Sequence, residues 1–229
     1  LTSDEDRDVF KMPDYVKQMV EKKLLGDKTK GGFYKRMPDK SIMTLDPKTL
    51  EYRPKGGDEG IKGTTKALSK VEDVKERVRK LVADQGKAGD FARKVLYRSL
   101  AYSARRMGEI SDSVSAVDDA MKWGYAWELG PFETWDALGF KETAEAIEKA
   151  GHKLPDSVHQ MIKNGVTSWY EGDTREADLE SGKYVERKLD PRNKTVAQLR
   201  TGKAPVLKND GAEAWDIGDG ILGLTFKTK

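Results

Sequence analysis

Asp118 to Gly139 reads DDAMKWGYAWELGPFETWDALG, and this stretch decides how the rest of the chain is understood. It holds three of the five tryptophans, Trp123, Trp127 and Trp135. Its glycines and proline punctuate helices: Gly124 is expected to stop one helix, Pro131 to start the next at its first turn, and Gly139 to cap its end. Phe132, Trp135 and Leu138 then fall on one helical face. So many aromatics in a tight helix–loop–helix corner predict a packed junction, each ring burying about 150–250 Å².

Working outward, the chain repeats itself. PDYVKQMVEK begins at Pro13 and PDSVHQMIKN at Pro155, with five of ten positions identical. Both place Pro at a helix start. Both carry apolar residues at helical spacing: Val16, Met19 and Val20 in one, Val158, Met161 and Ile162 in the other. Each then runs past a glycine into an aromatic pair, Phe33-Tyr34 and Trp169-Tyr170. Matching order of helix, breaker and aromatic pair predicts one structural unit used twice.

These residues resemble one family. A helix followed by G-x-x-W/P-x-x-GPF-x-x-x-D-x-x-G is similar to the helical C-terminal module of 3-hydroxyacyl-CoA dehydrogenases. Gly124, Gly130, Pro131, Phe132, Asp136 and Gly139 carry the match, with Trp135 packed beside them. GDKTKGGFYK, Gly26 to Lys35, resembles the G-x-K-x-G-x-GFY signature that closes the same module. The resemblance implies the tail of one helical module over 1–37, a connector over 38–65, and a complete second copy with a β-hairpin over 66–189. Residues 190–229 would be a linker and the opening hairpin of a crotonase-like (enoyl-CoA hydratase) domain. NDGAEAWDIGDGILGLTFKTK supports that last reading, because period-2 alternation surrounds a Gly-Asp-Gly turn. Leu1 is not Met, and Lys229 falls where such a hydratase domain would begin. Both ends therefore read as cuts within a longer β-oxidation polypeptide.

Composition bounds the alternatives. Charged residues make up 35% and hydrophobic ones 37%, so a large solvated surface surrounds a real core. The net charge is +3, from 42 basic and 39 acidic residues, which argues against a nucleic-acid binder. With no cysteine there is no disulfide framework or thiolate metal site, and a cytoplasmic setting is expected. No apolar run approaches the ~18 residues of a membrane span.

The expected class is mainly α, a helical module with small β-hairpins. Helices are expected over two short pieces within 2–25, capped by Thr2 or Ser3, and over 66–83, 88–107, 115–123, 131–138, 141–150 and 155–163. Ser115 and Asp118 have the spacing of a capping box. Hairpins are expected around Asp46-Pro47-Lys48 and around Glu180-Ser181-Gly182, and a turn of helix near Val196–Leu199.

The helix 88–107 is the candidate functional surface. Leu96, Leu100 and Met107 share one side, and Phe91, Val95 and Tyr102 another, so it should sit centrally. Lys94, Arg98 and Arg105 fill the remaining sector, a basic face for coenzyme A phosphates, for a partner domain, or simply for solvent. The resemblance implies an Asn-Arg pair on this helix, with the Asn lining the substrate pocket. In AYSARRMGEI, Arg105 stands at the Asn position and Arg106 at the Arg, so this copy is expected to have kept packing and lost the active-site role.

Other motifs fail on context. Gly218, Gly220 and Gly223 spell G-x-G-x-x-G, but no helix N-terminus follows to meet a pyrophosphate. His152 and His159 lack the further ligands of a zinc site. Glu72-Asp73 and Asp118-Asp119 look like helix-start charges. No catalytic, cofactor-binding or metal residue is therefore assigned. What the resemblance implies is a non-catalytic part of an NAD-linked enzyme acting on acyl-CoA. Its expected partners are the NAD-binding and crotonase-like domains of the same polypeptide, with a homo-oligomer through any apolar face left uncovered. The competing class is an independent helical interaction module, which need not end within a second fold.

Overall fold

A computed structural model describes residues 4–188, 196–200 and 202–227; the side chain of Ala197 and the expected caps Thr2 and Ser3 lie outside what it describes. The chain separates into two compact units, Leu1–Gly63 and Thr64–Lys229. Among the described residues there are nine α-helices and three antiparallel three-stranded sheets, so the fold is mixed, with helices predominating.

The first unit opens with a 3-10 turn at Arg7–Phe10, followed by α1 (Asp14–Glu21). Next comes a small sheet, β1 (Tyr34–Arg36), β2 (Ile42–Leu45) and β3 (Tyr52–Pro54), in that order. The hairpin expected around Asp46-Pro47-Lys48 is present, turned by Asp46, whose Oδ1 accepts from the Lys48 amide at 2.9 Å.

One long helix expected over 66–83 is two: α2 (Glu59–Leu68) and α3 (Val74–Ala83). The break has a local cause. Asp73 Oδ1 accepts from the Glu76 amide at 2.6 Å, an N-cap bond that needs non-helical backbone at Asp73. The α4 helix (Lys87–Arg106) has the expected bounds but a different buried face. Its seam is Ala88, Ala92, Leu100, Ala101 and Ala104, while Phe91 is 71% exposed and Val95 is exposed. Small alanines let neighbouring helices approach closely, and bulk alone misidentified the inward side.

The remaining helices are α5 (Val114–Tyr125), α6 (Pro131–Leu138), α7 (Phe140–Lys149) and α8 (Asp156–Lys163). Ser113, not Ser115, caps α5, accepting from the Ala116 amide at 3.2 Å. Gly124 does not stop α5; the helix continues to Tyr125 and ends where Ala126 turns left-handed at φ 55°. Gly139, Gly151 and Gly165 take positive φ after α6, α7 and α8, as expected.

A second sheet, β4 (Tyr170–Glu171), β5 (Arg175–Asp178) and β6 (Lys183–Glu186), packs against these helices. After α9 (Val196–Arg200), a third is built from β7 (Leu207–Lys208), β8 (Ala212–Gly218) and β9 (Ile221–Phe226). The core of the second unit gathers Leu100, Val114, Phe132, Trp135, Phe140, Ile147, Val158, Met161 and Trp169.

The repeat is present in the backbone. Pro13 and Pro155 begin α1 and α8 with ψ 149° each, and Lys22 and Asn164 end them with φ −78° each. The Leu24 amide donates to Met19 O, and the Val166 amide to Met161 O. Tyr52 OH donates to Gly32 O across one sheet, and Tyr184 OH to Ser168 O across the other. Lys55 lies 5.8 Å from the Tyr34 ring, and Arg187 lies 5.3 Å from the Tyr170 ring.

Candidate functional site

The corner between α5, α6 and β4 is organised by two buried carboxylates. Pro131 lacks an N–H, and Gly130 has no side chain to cap the next two amides of α6. Asp118, in the middle of α5, supplies the missing acceptor: Oδ1 takes the Phe132 amide at 2.8 Å and Oδ2 the Glu133 amide at 2.8 Å. The carboxylate thus sits on the positive end of the α6 dipole. Only glycine permits this approach, since a Cβ at residue 130 would lie 2.4 Å from Asp118 Cα, Cβ and Cγ. Glu133 completes the start of α6 by accepting from the Gly130 amide at 2.9 Å.

Asp136, one turn further along α6, joins this helix to the sheet. Its two oxygens accept from the Trp169 amide at 2.7 Å and the Tyr170 amide at 3.1 Å. Tyr170 OH donates to Asp118 Oδ2 at 2.7 Å, so two aspartates and one tyrosine close a ring of bonds through α5, α6 and β4. The aromatics fill the space between: Trp169 meets Phe132 at 4.6 Å, Trp135 at 5.3 Å and Phe140 at 5.2 Å between ring centroids. Trp135 has no exposed surface, and its indole N–H donates to Phe140 O at 2.8 Å.

Burial dominates the electrostatics. It pushes the Asp118 carboxyl up to about 6, against the opposing pull of Tyr170 OH and the Phe132 and Glu133 amides. It pushes Asp136 up to about 7, against the Trp169 and Tyr170 amides. The Tyr170 phenol is pushed up by burial and by the Asp118 charge, so it stays a donor. Buried Glu176 accepts from the Ser115 amide at 3.1 Å, and Arg187 Nε stands 3.8 Å from its carboxylate. Burial pulls the Lys122 ammonium down, but its contacts with Glu133 and Asp119 outweigh that and hold it raised. The arrangement anchors helices to a sheet. Nothing in it pairs an acid with a base across an open cleft.

The motif residues Gly130, Pro131, Phe132, Trp135, Asp136 and Gly139 thus come together in one corner. Trp123 and Trp127 do not join it; Trp123, in the last turn of α5, is 77% exposed and Trp127, just beyond the end of that helix, is 48% exposed. Lys94 and Arg98 are exposed on α4, whereas Arg105 donates to Lys153 O at 2.9 Å and lies 6.0 Å from the Tyr102 ring. Arg106 donates to Glu109 at 2.7 Å. A shallow cavity of about 310 Å³ is lined by Arg79, Tyr97, Leu138, Glu142 and Thr143, with Arg79 bonded to Ala137 O. Gly218, Gly220 and Gly223 lie in the β8–β9 hairpin, where strand follows strand. That arrangement does not fit the pyrophosphate of NAD, which needs a helix N-terminus. His159 sits 3.2 Å from Glu148 on the surface. Asp118 was read from the sequence as a local helix-start charge. Its spacing to the GPF motif was the available signal for its actual partners.

The chain is 34% identical over 227 residues to a probable 3-hydroxyacyl-CoA dehydrogenase of Bacillus subtilis, covering 98% of this chain and 28% of that protein. Two Rickettsia proteins carry the provisional name fatty acid oxidation complex trifunctional enzyme. The one from Rickettsia felis is 26% identical over 51% of this chain and 15% of its own length. The one from Rickettsia prowazekii is 23% identical over 57% of this chain and 17% of its own. No family description and no solved structure matches. The chain is therefore related, over nearly its whole length, to a region of a 3-hydroxyacyl-CoA dehydrogenase, and it spans little more than a quarter of that relative.

Proposed function

We propose, from this kinship with 3-hydroxyacyl-CoA dehydrogenases, that the chain is a non-catalytic helical part of such an enzyme. It provides packing between domains and walls of the substrate pocket. The proposed reaction of the whole polypeptide is NAD-linked oxidation of the 3-hydroxyl of an acyl-CoA in fatty-acid β-oxidation. The NAD-binding and crotonase-like domains of the same polypeptide are the proposed partners, and the cytoplasm the proposed setting. Among the described residues no helix is long and apolar enough to cross a membrane. The observation that carries the reading is the corner itself. The G-P-F-x-x-x-D motif is spent on internal bonds: Gly130 makes room for Asp118, Phe132 packs on Trp169, and Asp136 holds two backbone amides. Residues committed to tying helices to a sheet support a packing role.

The test is direct. The purified 229-residue chain, given NAD and a 3-hydroxyacyl-CoA, should produce no NADH above a control purified in parallel, since hydride transfer needs the cofactor held against the substrate. NADH formed in proportion to added chain would overturn the non-catalytic reading. In the longer polypeptide, Asp136→Asn should lower the melting temperature and leave KM unchanged. A raised KM with unchanged melting would place Asp136 at the substrate instead.

A further inference from the structure

The cavity lined by Arg79, Tyr97, Glu142 and Thr143 brings opposite charges together without pairing them. Its walls come from α3, α4, the end of α6 and the first turns of α7. Arg79 donates through Nη1 to Ala137 O at 3.2 Å, which holds the guanidinium at the α6–α7 junction. Glu142 folds back over the same junction. Its Oε2 would stand 2.7 Å from a Cβ at Gly139, so the missing side chain of that glycine leaves space for the carboxylate. Yet among the described residues Arg79 and Glu142 make no ion pair, with each other or with any other group. The Tyr97 and Thr143 hydroxyls line the same hollow and have no hydrogen-bond partner among the described residues. Thr143 is only 3% exposed, so water reaches it poorly. Polar groups in such places normally have partners. The rest of the lining is aliphatic, with Val82, Leu138 and Ala146 between the polar groups.

We infer that this hollow binds a small zwitterion, an α-amino acid with a short aliphatic side chain. Arg79 only donates, and ionised Glu142 only accepts. A ligand that satisfies both brings an anionic acceptor and a cationic donor close together, as the carboxylate and ammonium of an amino acid do. A ligand with one charge would leave the opposite wall group desolvated and unpaired. The Tyr97 and Thr143 hydroxyls donate or accept as needed, and the side chain lies on Val82, Leu138 and Ala146. The volume of about 310 Å³ is at the small end of ligand pockets, which run from about 300 to 1,000 Å³. A bound amino acid would tie α3 to the start of α7, beside Phe140, whose carbonyl holds the Trp135 indole. The inference rests on the cavity and stands apart from the acyl-CoA reading.

The experiment titrates the isotope-labelled 229-residue chain with L-leucine near neutral pH and reads chemical shifts residue by residue. Shifts should saturate at millimolar ligand and centre on Arg79, Tyr97, Glu142 and Thr143. Isocaproate carries the carboxylate alone and isoamylamine the ammonium alone. Each should bind at least ~10-fold more weakly than leucine, because one charged wall group stays unpaired. Glu142→Gln should lower leucine to the level of isocaproate, and Arg79→Gln should lower it to the level of isoamylamine. Arg79→Gln also frees the Ala137 carbonyl, so where that variant melts early, Glu142→Gln, at an exposed position, decides. Three results would overturn the inference. One is the absence of saturable shifts around the cavity. A second is isocaproate or isoamylamine binding as tightly as leucine. The third is a preference for leucine over isocaproate that survives Glu142→Gln.

Discussion

Trp135 touches Trp169 and Phe140 and spends its one polar atom on the Phe140 carbonyl. Removing its side chain deletes aromatic contacts and one hydrogen bond to the Phe140 carbonyl. Trp135→Ala is expected to cost about 3–5 kcal/mol, read as a lower urea midpoint than the parent; equal midpoints would contradict the packed corner. Asp136 makes a different prediction, because its charge depends on pH. Its carboxyl stands at about 7 in the fold and Asp118 at about 6, against 3.8 for an ordinary aspartate. Below pH ~4 both groups hold protons in the folded and the unfolded chain. As pH rises from there, the unfolded chain releases its protons first and the folded chain keeps them. Stability therefore falls between about pH 4 and pH 7 and levels above. Glu133 adds to the rise at Asp118, and Lys75 works against it at Asp136. Asp136→Asn replaces an acceptor of two amides with a group that accepts at one atom only, a loss of about 1–3 kcal/mol. It should also flatten the slope over this window. Denaturant melts at pH 4.5 and 7 measure both, and a slope unchanged by the substitution would remove Asp136 as its source.

Two glycines six residues apart, Gly124 and Gly130, separate what a helix needs from what a corner needs. Gly124 lies inside α5, and a Cβ there meets nothing within 4 Å. Gly124→Ala should raise stability by about 0.5–1 kcal/mol, the ordinary gain in a helix interior. At Gly130 the same change drives a methyl into the Asp118 backbone and should cost about 1–3 kcal/mol or more. Paired thermal melts decide both, and a shift of the same sign for the two variants would refute the contrast. These positions also show what the sequence could convey. The helices α4, α6, α7 and α8 were legible because apolar spacing and a terminal glycine or proline are local signals. β1, β4 and β7 were not, since two or three residues cannot display a period. The cap at Asp73 was legible as a charge pair, but not as the break between α2 and α3. At the site, Gly130, Phe132 and Asp136 were found by motif. Asp118 was misread as part of a box with Ser115, because a linear reading favours a neighbour three residues away over an amide 14 away or a tyrosine 52 away.

The chain holds two similar local structures with unequal cores. Among the described residues, the buried apolar side chains of the first unit are Met19 and Leu45; in the second, α4 to α8 and the β4–β6 sheet bury Leu100, Val114, Phe132, Trp135, Phe140, Ile147, Met161 and Trp169 together. Hydrophobic stabilisation scales with apolar area removed from water, about 25 cal/mol per Å², so equal backbone hydrogen bonds in the two copies rest on unequal support. A small unit with so few buried side chains is marginal on its own. The equivalent bonds from the Leu45 amide to Phe33 O and from the Ala177 amide to Trp169 O offer a matched internal comparison, being 2.9 and 2.7 Å long in similar sheets. The Leu45 amide should exchange at least ~100-fold faster than the Ala177 amide, because the first opens with local unfolding of its unit and the second only when the large core opens. Mild denaturant should narrow the difference, because opening the larger core exposes more surface and its free energy falls more steeply with denaturant. Equal protection of the two amides at every denaturant concentration would mean that the units unfold as one, and that the first copy draws its stability from contacts beyond its own core.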